Sequence, residues 1–254
     1  MSRVDLGLYL MALLLAALLV IVVNRYLPHQ RRARYNEVTS FVFAAVAAIY
    51  AVLLAFVVVA VWDNIPRARE ATFREADALA GLYWISREVP VEQGAPLERL
   101  TLEYAHRVVE VEWPLMAERR SDERTTAVLY RMREGTFALN PSADARSQAL
   151  YEHALSHLED LASGRRERLN EIRHSVPPLL WITLIDGALV TVGFCVAFGV
   201  ANRALHLVMA LALTSVVAVS LITIKEMNYP FAGVTRVAPT AFQVFLDKLP
   251  PPRG

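Results

Sequence analysis

The sequence predicts an all-α protein with four transmembrane helices, the second and third of them extended into a soluble helical bundle. Three observations carry that reading. The apolar residues fall into four blocks, roughly Leu6–Val23, Val38–Trp62, Leu179–Val200 and Ala204–Ile224. Each is long enough to cross a hydrocarbon core of about 30 Å as a helix. The polar stretch between the second and third blocks carries apolar positions at helical spacing, with no alternating strand pattern. Finally, the uncharged run VTSFVFAAVAAIYAVLLAFVVVAVW passes without a break into the amphipathic DNIPRAREATFREADALAGLY, so one rod starts in lipid and ends in water.

Composition agrees. Hydrophobic residues make up 55% of the chain and the mean hydropathy is +0.35, values of a multi-pass membrane protein rather than a soluble domain. A net charge of +1 gives no bulk attraction to nucleic acid. The single cysteine, Cys195, lies inside the third block, which excludes a disulfide framework or a cysteine zinc site within one chain. The first block is too long for a secretory signal, lacks an A-x-A cleavage site and is followed by basic residues, so it reads as a retained anchor. The expected divisions are 1–62 for the first two membrane helices, 63–177 for the soluble helical domain, 178–226 for the last two membrane helices, and 227–254 for an amphipathic tail.

In chain order, the first block is apolar all round and ends at Asn24, and Pro28 prevents its simple continuation. The loop Asn24–Glu37 holds Arg25, Arg31, Arg32 and Arg34, read as a flank facing lipid phosphates. The second block sets Ser40, Ala44, Ala47, Ala48, Ala51, Ala55 and Trp62 along one stripe. Small side chains let another helix approach closely in a bilayer, and a pore-facing role is the alternative.

The soluble stretch reads as helices with inner faces at Ala68–Tyr83, at Leu97–Leu115 and at Leu150–Ile172. Pro90 and Gly94 mark a turn, the second helix begins near Pro96, and Ser121 caps a short third helix that ends at Met132. Gly135–Ser142 reads as a loop before the last soluble helix, Ala143–Ser175. Pro177 and Pro178 then bend the chain into the third span. The third and fourth spans, joined around Asn202–Arg203, form an antiparallel hairpin.

Chemistry-bearing residues are few. Asp186 lies about 9 Å inside the third span at 1.5 Å per residue, with Thr183 one turn away. A carboxylate there must face protein or water, as part of an ion pathway or as a hydrogen-bonded interfacial acid. Lys225 ends the fourth span and is expected to snorkel to the headgroups, with a bond to Asp186 permitted by the hairpin. Of the histidines at 29, 106, 153, 157, 174 and 206, His153 and His157 share a helix face, but no H-E-x-x-H motif forms, so a surface or domain-interface role is expected and no metal is assigned. No nucleotide-binding loop, nucleophile elbow or calcium loop is present, and no sequence feature argues for an enzyme or a cofactor.

The runs AVLLAFVVVAVWDNIPRAREATFREADALAGLY, YAHRVVEVEWPLM, VPPLLWITL and NYPFAGVTRVAPTAF resemble an uncharacterised bacterial membrane family described as bestrophin-like. Its markers here are Trp62, Glu75–Ala76, Glu112–Trp113–Pro114, Trp181 and Pro230–Phe231–Gly233, and the resemblance covers Asn36 to Phe245. More distantly, the layout is similar to that of bestrophins, pentameric anion channels whose second membrane helix lines the pore. That resemblance implies a homo-oligomer in the bacterial inner membrane passing inorganic ions, with Ser40, Ala44, Ala47, Ala48, Ala51 and Ala55 facing the pore. Two departures stand out. Phe41, Phe43 and Phe56 do not share a stripe, so an aromatic neck lacks a counterpart, and the tail beyond Glu226 offers only Asp247 towards an acidic calcium clasp. The basic short loops favour a helical domain outside the cell; the resemblance places it in the cytoplasm and is followed here because it constrains the whole layout. A non-conducting scaffold or sensor that binds a partner through its helical domain is the second reading.

Overall fold

Helices supply every regular element among the described residues of the computed structural model, which are 3–141, 144–173, 175–233 and 235–250. Met1, Ser2, Ser142, Ala143, His174, Val234 and the terminal PPRG lie outside them. In order the elements are α1 (Arg3–Tyr26), α2 (His29–Ala33), α3 (Asn36–Glu88), α4 (Val91–Arg107), a π-helical turn (Val108–Glu112), α5 (Trp113–Ala117), α6 (Glu123–Phe137), α7 (Ala145–Arg173), α8 (Pro178–Ala197), α9 (Arg203–Met227) and α10 (Thr240–Asp247). The chain divides into two compact units, Met1–Trp62 with Ser175–Asn228 and Asp63–His174 with Tyr229–Gly254.

In the first unit, α1 packs on α8 and α9, and α8 on α9. Val20, Cys195, Val196 and Ala210 form its buried centre. The Tyr9 and Ser215 hydroxyls bond at 2.8 Å. The upper part of α3 joins α8 through the Tyr50 ring, which lies where a Cβ on Gly187 would stand 2.4 Å from it, so only glycine admits this contact. Phe43 meets Phe198 edge-on at 5.6 Å, and the Asn36 amide exchanges bonds with the Gly199 backbone at 2.9 and 3.1 Å.

One end of this unit corrects the reading of the first loop. Arg32 does not face lipid phosphates; it is half-buried and donates to the Val196 and Phe198 carbonyls at 3.1 and 2.7 Å and to the Asn24 amide oxygen. The last carbonyls of a helix have no partner along the helix, and in apolar surroundings a guanidinium supplies one. Asn24 then bonds His206 Nδ1 at 3.2 Å, and His206 Nε2 meets the Cys195 carbonyl at 3.3 Å, which completes a polar cap over the end of α8. Asn202 caps α9 by accepting from the Ala204 and Leu205 amides. Arg25, Arg31 and Arg34 remain exposed.

The second span is one helix of 53 residues, unbroken from Asn36 to Glu88 although Pro66 lies inside it and leaves the Trp62 carbonyl without its usual amide. The third is divided: α7 ends at Arg173, residues 175–177 are not helical, and α8 starts at Pro178. The proline pair removes the amides that would continue the helix, and the Val176 amide turns to the Asn228 side chain at 2.7 Å.

The second unit is a helical bundle whose core joins Leu79, Leu82 and Tyr83 of α3 with Leu97 and Tyr104 of α4, Met132 of α6 and Leu161 of α7. Here α4 begins at Val91, not near Pro96, because Gly94 sits inside the helix, packed so closely on the Ser86 carbonyl that a Cβ would lie 1.9 Å from it. Asp122, not Ser121, caps α6, accepting from the Arg124 and Thr125 amides at 3.3 and 3.0 Å, and the helix runs on through Gly135 to Phe137. The final segment is core: Trp113 Nε1 donates to the Val237 carbonyl at 3.1 Å, and Phe231, Phe242 and Phe245 are buried.

Gly164 marks the closest approach of α7 to α3, where a Cβ would come within 2.9 Å of the Glu75 backbone nitrogen. Alanine normally favours a helix interior over glycine by about 1 kcal/mol. Gly164→Ala is expected to invert that sign and lower the thermal unfolding midpoint of the detergent-purified chain. Gly193→Ala, where a Cβ meets nothing within 4 Å, is expected to leave or raise it. Equal effects would contradict the close approach.

Candidate functional site

The membrane part of α3 has three distinct sides. One packs inward through Tyr50, Val57 and Val61, all buried. A second carries bulky exposed residues, Ile49, Val52, Phe56 and Val59. The third carries Ala44, Ala48, Ala51 and Ala55, four residues and then three and four apart, all exposed, with Ala47 half-buried at its edge. Ser40 lies exposed at the start of this stripe and spends its hydroxyl on the Glu37 carbonyl at 2.8 Å. Trp62, 62% exposed, ends it. No helix of the same chain covers the stripe among the described residues. Bulky apolar side chains suit contact with lipid; a smooth alanine face suits close approach by another helix or a water-filled lumen.

The three polar residues singled out within the spans do not converge. Asp186 is exposed on α8, and Thr183, also exposed, returns its hydroxyl to the Leu179 carbonyl at 3.0 Å. Lys225 neither snorkels freely nor reaches Asp186: its Nζ lies 2.5 Å from Asp5 Oδ1, and the Asp5 side chain is fully buried. Asp5 stands in the first turn of α1 and Lys225 in the last turn of α9, ends at which the helix dipoles favour those charges. The partners are 220 residues apart, and nothing in the sequence pairs them.

The second unit holds a buried charge network in which Glu75 and Glu112, both family markers, meet two arginines that no motif singles out. Arg168 donates from Nε and Nη2 to the two oxygens of Glu75, at 2.5 and 2.9 Å, and from Nη2 to Glu112 at 2.8 Å. Arg165 forks onto Glu112 with two bonds of 2.7 Å. The Tyr104 hydroxyl donates to Glu75 at 2.6 Å and the Asp122 amide to Glu112 at 3.1 Å. Glu75, Glu112, Tyr104 and Arg168 are all fully buried. The π-helical turn ends on Glu112.

The signal was present in the periodicity. Residues 68, 72, 75, 79 and 82 form one buried stripe of α3, and 161, 165, 168 and 172 one of α7, each with charge set among apolar neighbours. Burial alone would push the Glu112 carboxyl up, but the Arg168 and Arg165 guanidiniums override it and hold it below the usual range. Arg165 and Arg168, which burial alone would lower, are raised by the anions around them, and burial together with Glu75 raises the Tyr104 phenol.

His157 packs its ring over Gly81, and His153 is exposed. No group of three or more metal-ligating side chains forms among the described residues.

Four helices long and apolar enough to span a bilayer, one of them continued into a helical bundle, define a multi-pass membrane protein. The bestrophin-like domain matches residues 10–242, and the chain belongs to the bestrophin-like family. No curated protein matches it. The fold is that of a bacterial bestrophin homologue from Klebsiella pneumoniae. The zinc-phased crystal structure aligns with a TM-score of 0.69 at 16% identity, over 94% of this chain and 97% of that one. A single-site variant aligns at 0.71 and 17%, over 94% and 99%. Another aligns at 0.70 and 15%, over 93% and 97%.

Because the Glu112 carboxyl is held below its ordinary value of 4.5, its contribution to stability is complete above that value and is lost as pH falls through the lowered one. Through this group, unfolding of the purified chain is expected to become easier as pH falls below about 4.5. Glu112→Gln is expected to flatten that acid limb while lowering stability at pH 7 by about 3–5 kcal/mol, since two guanidiniums lose their shared anion. An unchanged acid limb in the variant would contradict the assignment.

Proposed function

We propose that this protein is an oligomeric ion channel of the bacterial inner membrane, a pentamer by its family resemblance, in which α3 of every copy lines the pore. The exposed stripe of Ala44, Ala48, Ala51 and Ala55, with Ser40 at its mouth and Ala47 at its edge, carries this reading. A ring of such faces makes a narrow apolar passage, which conducts when wetted and closes when water leaves it. The exposed Asp186 on α8 supports assembly, because a carboxylate inside a span needs water or a neighbouring copy beside it. The continuity of α3 supports a gating route, since the buried network grips the same helix at Glu75.

A second reading, a non-conducting scaffold or sensor, draws on the cleft of about 730 Å³ between α6 and α7, lined by Leu129, Tyr130, Phe137 and Leu155. Purified protein reconstituted in liposomes separates the two. Ion flux is expected from the native chain, lost in Ala51→Trp and retained in Ile49→Trp on the bulky side. Equal flux from both variants would contradict the pore face, and a monomer without flux would select the scaffold.

A further inference from the structure

The turn after α5, the start of α6 and the last two turns of α7 line an open cleft of about 780 Å³ that includes Arg119, Arg120, Arg124, Arg166 and Arg173. Against these five stand two acids in the lining, Asp122 and Glu123, and Glu118 beside it, which pairs with Arg120 at 3.6 Å. Asp122 is already engaged, capping α6 and receiving Arg107 at 2.5 Å, and that pairing together with the amides it accepts holds its carboxyl low against the opposing effect of burial. Arg166, Asn170 and Arg173 lie at four- and three-residue spacing, so α7 presents them as one wall. Arg124, Arg166 and Arg173 are exposed, and no ion pair engages them among the described residues. In a chain of net charge +1 this is a local concentration of unneutralised guanidiniums around a concave surface.

Its position along the chain bears on the ligand. Arg173 is five residues before Pro178, the first residue of α8, a reach of at most about 18 Å. Arg119, held at φ 62°, stacks its guanidinium 3.6 Å from the centre of the Tyr229 ring, two residues after α9 ends. Along the chain, Arg173 thus precedes the entry into α8 by five residues, and the ring that holds Arg119 follows the exit from α9 by two. Its volume far exceeds a bare phosphate and matches the usual range of about 300–1,000 Å³ for sites that hold an organic ligand. Guanidiniums recognise phosphate oxygens in pairs, and basic pockets beside membrane helices take phospholipid headgroups.

We propose that this arginine cleft is a binding site for a phosphate ester, with the headgroup of an anionic phospholipid as the source its chain position favours. Occupation bridges α6 and α7 through ligand oxygens and neutralises guanidiniums that otherwise repel across the cleft.

The test uses the full chain in a neutral detergent, with the thermal unfolding midpoint as readout. One arm adds short-chain phosphatidic acid against short-chain phosphatidylcholine; the other adds inorganic phosphate against sodium chloride at matched ionic strength. The native chain is expected to be stabilised by phosphatidic acid, and the response to shrink at least several-fold in Arg166→Gln/Arg173→Gln. The charge-matched Arg99→Gln/Arg133→Gln is expected to keep it. Since Arg166 and Arg173 make no ion pair among the described residues, the unliganded midpoint serves as the folding control. A response to inorganic phosphate with the same arginine dependence would support the site with a soluble ligand. No response to either probe, or equal responses in the two double variants, would overturn it.

Discussion

Two carboxylates and two guanidiniums share the dry centre of the helical unit, and the position of α3 there depends on their mutual neutralisation. Each charge alone would carry a large desolvation cost, and together they form a closed set in which Glu75 and Glu112 hold Arg165 and Arg168 in place. Replacing the whole set by well-packed apolar residues need not weaken the bundle, so the network's value lies in specificity. Fork-shaped donors and bidentate acceptors meet in one register only. The register fixed here is that of α3 against α7, next to the point where Gly164 brings the two backbones together.

The membrane unit obeys the same rule under a harsher solvent. Polar groups at helix ends cannot rely on water, so Arg32 and Asn36 satisfy carbonyls and an amide at the end of α8, His206 completes the cap, and Asp5 meets Lys225 where α1 begins and α9 ends. What remains outside these closed sets is informative for that reason. Among the described residues, the alanine side of α3 and the carboxylate of Asp186 are exposed features within the spans that lipid contact alone does not explain.

The sequence made the spans legible because a bilayer tolerates only long uncharged helices, and the break before α8 because two prolines cannot extend α7. Caps were less legible: Ser121 and Asp122 are both competent, and the bonds that Asp122 also makes to Arg107 and, through its amide, to Glu112 distinguish them. The π-helical turn left no trace, since it shifts the phase of an amphipathic helix without changing its composition. Long-range polar pairs were invisible for another reason. Asp5 and Lys225, or Arg32 and the α8 carbonyls, each look like ordinary boundary residues, and nothing local names the partner. Glu75, Glu112, Arg165 and Arg168 were in principle readable as charges set into apolar stripes, a pattern that announces a buried partner without saying which.

The most direct test of the central claim, that these charges fix α3 to α7, is a double-mutant cycle across Glu75 and Arg168. Stability of the purified chain is measured for the native form, Glu75→Gln, Arg168→Gln and the pair. Coupling of about 2 kcal/mol or more is expected, the double variant being far less damaged than the sum of the singles. Additive losses, equal to the sum within about 0.5 kcal/mol, would show that the two side chains act independently and that something else sets the register of the helices.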